Sequence, residues 1–128
     1  MERRLEKFGK CLIIDGHSFY DEPLPYELNR NKNRPQICIG ADTVHTPDEL
    51  VEYTNHFYTS RGFTVKVNDP FSGAIVPLKF YQIDTRVKSI MIEVNRGVYM
   101  DHQLNKIKGY DYLKESIRIA VDNLKDLI

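Results

Sequence analysis

Apolar and polar positions along the chain follow two periods, one of strands and one of helices. Glu2 to Phe8 reads as the last turns of a helix ended by Gly9, and Lys10 to Asp15 (KCLIID) is an apolar run without alternation, as expected for a central strand buried on both faces. Tyr20 to Pro35 has no apolar period and is rich in Pro, Asn, Arg and Lys, so it reads as a loop. Gln36 to Ile39 is a second strand. Thr46-Pro47-Asp48-Glu49 then carries a helix-start signal, with threonine as N-cap, proline at the first helical position and glutamate two further on. That helix is expected to run to about Arg61 with Leu50, Thr54, Phe57 and Tyr58 inward, and Gly62 supplies its left-handed stop. Phe63 to Val67 and Val87 to Val94 are further strands, and a closing helix from about Ile107 to Leu127 places Leu113, Ile117, Ala120, Val121, Leu124 and Leu127 on one stripe. Strands and helices in this alternation predict an α/β fold, a single sheet with helices packed on it.

The 128 residues make one domain's worth of chain, and a start on the tail of a helix suggests a domain entered in mid-fold. Eighteen basic residues balance eighteen acidic ones, so no net field points to nucleic acid or to an anionic membrane. The apolar runs are of strand length and the N-terminus is charged, which argues against a membrane span or a signal peptide and for a cytoplasmic location. A small molecule is the expected partner. Cys11 and Cys38 lie in apolar stretches without a CxxC spacing and read as reduced, buried thiols.

Candidate chemistry gathers where strands end, because ligands of open α/β sheets bind beyond the carboxyl ends of their strands. His17 follows the first strand, with Asp15 two positions earlier and Ser18 beside it. There it suits a metal ligand, a proton carrier, or a hydrogen-bonded residue of a turn. Glu93 stands near the end of an otherwise apolar strand, where a buried carboxylate has to be paired, protonated or functional; Arg96 and Arg86 are the candidate partners for a plain salt bridge. Together a histidine and a carboxylate at two strand ends match the parts of metal-assisted hydrolysis. Asn68-Asp69-Pro70-Phe71-Ser72-Gly73 is either a pocket-lining loop or an ordinary turn. His45 and Asp42 could form a ligand pair but read better as a polar loop. His56 lies on the helix that starts after Thr46, and His102 follows the last strand block.

Ile13-Ile14-Asp15-Gly16-His17-Ser18 is similar to the aspartate, variable residue, histidine, serine signature of N-formylglutamate amidohydrolases. Ile39-Gly40-Ala41-Asp42, Val67 to Gly73, and Ile92-Glu93-Val94-Asn95-Arg96-Gly97-Val98-Tyr99-Met100 resemble the later blocks of that family in the same order. The resemblance implies a three-layer α/β/α sandwich with a mixed central sheet, phosphorylase/hydrolase-like and lacking the N-terminal part of the family fold. It also implies a zinc ion (Zn2+) and hydrolysis of the amide bond of an N-acyl amino acid such as N-formylglutamate. Within it His17 is the metal ligand and Glu93 the catalytic base and acid, while Asn68, Ser72, Gly73 and Arg96 hold the substrate. Tyr99 either lines the same crevice or belongs to the core. Two further zinc ligands of the family, a histidine and a carboxylate, have no counterpart in residues 1–128. The chain is then either an enzyme completed by self-association or by a complementary N-terminal segment, or a non-catalytic homologue acting as a binding or interaction module.

Overall fold

The computed structural model describes residues 1–128. Helix α1 (Glu2–Phe8) leads into strand β1 (Cys11–Phe19); β2 (Ile37–Gly40), helix α2 (Asp48–Ser60), β3 (Val65–Val67), β4 (Val87–Asn95) and helix α3 (Gly109–Leu124) follow. The strands form one four-stranded sheet in the order β1-β4-β2-β3, with β4 parallel to β1 and antiparallel to β2. The class is α/β with a mixed sheet, as the alternation of elements predicts.

Side chains of a strand alternate between faces, and paired residues of neighbouring strands share one. One face therefore carries Ile37 and Ile39 of β2 with Ile90, Ile92 and Val94 of β4, joined by Leu50 and Tyr58 of α2 and by Leu113, Ala120 and Leu124 of α3 in a continuous buried core. The other face carries Asp15, His17 and Phe19 of β1, Cys38 of β2, and Ser89, Met91, Glu93 and Asn95 of β4. It is covered by extended chain. Phe71 packs edge-on against Phe19 at 5.5 Å, the Ser89 hydroxyl donates to the Ile75 carbonyl at 2.7 Å, and the Asn95 amide donates to the Pro35 carbonyl at 3.2 Å. The segment after β3 comes so close to Gly40 that a Cβ there would lie 2.2 Å from the Gly73 carbonyl oxygen. Helix α1 is tied to the same segment by the Glu2–Lys79 ion pair.

Four expectations are corrected. β1 is not a central strand buried on both faces: it is the edge of the sheet, with Leu12, Ile13 and Ile14 only half-buried, and β4 holds the centre. It also does not stop at Asp15 but runs through His17 to Phe19, because its parallel ladder to β4 continues as far as Asn95. Thr46 does not cap α2. Its buried hydroxyl donates to the Ser89 carbonyl at 2.6 Å and accepts the Asp42 N–H at 2.8 Å, so it anchors the helix entry to β4 instead. At the other end of α2 the Gly62 stop holds, with φ at 88°, and the Phe63 N–H reaches back to the Tyr58 carbonyl at 3.1 Å. α3 is shorter than its periodic stripe, and its buried line is Leu113, Ser116, Ala120 and Leu124, with Val121 and Leu127 partly exposed.

Candidate functional site

The parallel ladder puts His17 directly opposite Glu93, and on the far side of β4 the antiparallel ladder puts Cys38 opposite the same residue. His17, Glu93 and Cys38 thus form a row across the sheet on the face covered by extended chain, each about 4.8 Å from the next strand. His17 and Glu93 share one face of the sheet near the C-terminal ends of their strands.

Glu93 is 8% exposed, and its carboxylate takes part in no hydrogen bond and no ion pair. Both salt-bridge partners that the sequence offered are engaged elsewhere. Arg96 donates from Nε to the Ser18 hydroxyl at 3.1 Å and lies 4.2 Å over the Tyr20 ring, and Arg86 pairs with Asp84. Burial pushes the Glu93 carboxyl above the usual carboxylate range; His17 opposes that shift, Asp15 and Glu27 reinforce it, and Arg34 opposes it. Such a carboxylate holds a proton more readily than an exposed one.

His17 is half-exposed, and its Nε2 lies 2.9 Å from a carboxylate oxygen of Asp15, its neighbour on the same face. A carboxylate on one ring nitrogen orients the imidazole, which leaves Nδ1 as the nitrogen for a ligand. Cys38 is no nucleophile here: burial pushes its thiol up, and the protonated sulfur donates to the Phe71 carbonyl at 3.2 Å.

Above the row sits a pair that sequence reasoning missed. Arg34, with a side chain only 1% exposed, forms an ion pair with Glu27 and donates to the carbonyls of Tyr20 and Asn29 at 3.1 Å each. Its guanidinium lies 5.7 Å from the centroids of both Phe19 at the end of β1 and Phe71 in the segment after β3. The arginine draws the Glu27 carboxyl below its usual range. The signal available was indirect, since a strand face carrying a glutamate needs a cover with charges of its own, and the loop before Pro35 is where they lie.

The remaining candidates are not gathered around Glu93. The Asn68 side-chain oxygen accepts the N–H groups of Ala41 and Gly73 at 2.8 and 3.2 Å, closing its own loop. Ser72 and Gly73 border a separate depression with Asp42, Tyr81 and Met91, toward the other end of β4. Arg96 lines a third one with Tyr20, Asp21 and His102. Tyr99 faces a cavity between the sheet and α3 that also reaches His17.

His45 is neither a ligand nor part of an exposed loop: it is fully buried, its Nδ1 lies 2.8 Å from the Val87 carbonyl, and its Nε2 accepts the Gln82 N–H at 2.8 Å. Asp42 has no carboxylate to spare for a metal beside it. Burial would raise its pKa, but the Val44 and His45 N–H groups outweigh that and hold it low. His56 is exposed on α2, and His102 is exposed 3.9 Å from Asp21.

The donor set falls short of a complete metal centre. No group of three or more His, Cys, Asp or Glu side chains is arranged to hold an ion, whereas a catalytic zinc takes about three protein ligands. This chain offers His17 with Asp15 behind it, and Glu93 alongside.

N-formylglutamate amidohydrolase is the family that matches, over residues 1–100. Among solved structures, the chain is similar to the N-formylglutamate amidohydrolase from Ralstonia eutropha JMP134, at 24% identity and a TM-score of 0.75. The alignment covers 99% of this chain and 49% of that one, so the chain spans about half the length of this solved relative. At that identity the likeness speaks for the fold. No curated protein matches the chain.

Proposed function

The chain belongs to the N-formylglutamate amidohydrolase family, and from that premise we propose that it serves the hydrolysis of the amide bond of an N-acyl amino acid, with Glu93 moving the proton and His17 as one ligand of a zinc ion. The observation that carries this reading is the buried Glu93 carboxylate, without a counter-ion and in register with His17. Burying such a group costs stability, and the cost is understandable where the group has chemistry to do. Glu93 takes a proton from the attacking water and returns it to the leaving nitrogen, for which a carboxyl held above its ordinary range is suited. Asp15 fixes the His17 ring through Nε2 and leaves Nδ1 as the donor atom. A bound zinc ion would supply Lewis acidity. Because this chain's own donors do not complete a site, the assignment to it goes no further than His17, and zinc binding by the chain alone is expected to be weak. Asn68, Ser72, Gly73 and Arg96 remain proposed substrate contacts, with Arg96 the nearest of them to β1 through Ser18.

The short donor set also favours a second reading, a non-catalytic homologue that binds rather than cleaves. One set of measurements separates the two. Formate release from N-formyl-L-glutamate is followed with added zinc, and zinc affinity is read by chelator competition. The enzyme reading expects turnover that is slow or absent in the chain alone and restored by a complementary N-terminal segment, that Glu93→Gln then lowers by about 100-fold or more while zinc affinity holds, and zinc binding that His17→Ala weakens. Undiminished turnover in Glu93→Gln, or zinc binding indifferent to His17→Ala, sinks the assignment. Zinc binding that depends on His17, without turnover even when that segment is added, points to the binding module.

A further inference from the structure

A cavity of about 270 Å3 lies between α3 and the C-terminal ends of β1 and β4, on the helical side of the sheet and away from Glu93. Its floor is apolar: Val94 and Leu113 belong to the buried core, and Ile117 packs beside them. Tyr99 and Tyr110 form a wall, their rings edge-to-face at 6.4 Å, and neither hydroxyl makes a hydrogen bond within the protein. Lys114 stands at the margin. The ion pairs of α3 run from Arg118 to Glu115 and Asp122 and from Lys125 to Asp122, which leaves Lys114 unpaired. A second cation with no ion pair, Lys106, lies 4.1 Å over the Tyr110 ring. No carboxylate lines the cavity.

The shape and the charge point to one kind of occupant. An apolar cavity of about 150 Å3 is enough to hold benzene, so this one has room for an aromatic ring and a short tail. Aromatic walls favour a ring, and an unbalanced lysine at the margin favours an anion on the tail. We propose that the cavity binds a small arylalkanoate, its ring against Tyr99 and Tyr110 and its carboxylate at Lys114. His17 borders the cavity from the edge strand, so the bound molecule would lie against β1 on the side of the sheet opposite Glu93. The inference rests on the cavity alone, and neither zinc nor turnover enters its test.

The intact chain is titrated with 4-phenylbutyrate while the isoleucine methyl and tyrosine ring signals are followed by NMR, with the neutral amide of the same acid and with butyrate as comparisons. Saturable shifts at Ile117, Tyr99 and Tyr110 are expected, with affinity reduced about fivefold for the amide and in Lys114→Met, and with no saturation by butyrate. Lys114 is exposed, so that variant should keep the fold, which the unchanged methyl signals of Ile37 and Ile39 verify. Absence of saturation by 4-phenylbutyrate, shifts centred elsewhere, or equal affinities for acid, amide and Lys114→Met overturn the proposal.

Discussion

The two faces of the sheet are built on different principles. The helical face is a continuous apolar layer in which Ile37, Ile39, Ile90, Ile92 and Val94 meet α2 and α3. The opposite face holds Asp15, His17, Cys38, Ser89, Glu93 and Asn95 under two stretches of extended chain. Its cohesion comes from directional bonds between distant segments, Ser89 to Ile75, Asn95 to Pro35 and Cys38 to Phe71, and from the Arg34–Glu27 ion pair within the covering loop. One face supplies non-specific burial and the other supplies positions for charge. A small fold can afford an unpaired carboxylate on one side of β4 because Ile90, Ile92 and Val94 on the other side are buried in the apolar layer.

The comparison can be broken most severely from the helical side. Ile90 is fully buried among the helices, and Ile90→Ala should cost about 3 kcal/mol of stability in denaturant titration, since the neighbouring rows cannot collapse into the space. A cost under about 1 kcal/mol would mean that this layer does not carry the fold. Arg34→Ala strikes the other face, and it should cost somewhat less, about 2 kcal/mol, by leaving Glu27 without its partner. Its signature should be local: amide hydrogen exchange should accelerate in residues 20–35 and 68–76 before it does in α2 or α3. Uniform acceleration would argue against a separately stitched face.

The smallest effect sharpens the comparison by its sign. Because burial raises the Glu93 pKa on folding, this group contributes stability below the ordinary glutamate range, and the contribution is lost as pH rises through the folded value. At pH 7, therefore, Glu93→Gln should be the more stable protein, with a higher Tm, and the gap should close as the solution is acidified through that range. A variant less stable than the parent at neutral pH would show that Glu93 has a partner in solution.

Much of the helical face was legible in the sequence, and little of the other. Leu50, Thr54 and Tyr58, or Leu113 and Ala120, repeat at helical spacing because a helix must present one stripe to the core, and that rule is local. The apolar run of β1 was legible as a strand but not as an edge, since half-burial on two faces and full burial on two faces favour the same residue types. Thr46 looked like a cap because its neighbours suit a helix start, yet its hydroxyl found a partner on β4 more than forty residues away. His17 and Glu93 could be named as candidates from their strand-end positions. That they face each other depends on register, which no local pattern encodes, and the Arg34–Glu27 cover was invisible in a loop without periodicity.

The parallel ladder that unites positions 11–19 with 87–95 also sets when the site can exist. Parallel partners so far apart cannot meet until the chain between them has been drawn in, and the entropy of closing that loop falls on the ladder's first contacts. β2, α2 and β3 are consecutive and near in sequence, so they can assemble early, and β4 can then dock antiparallel on β2. β1, whose pairing with β4 closes the longest loop of the sheet, is expected to join late, so that His17 meets Glu93 near the end of folding.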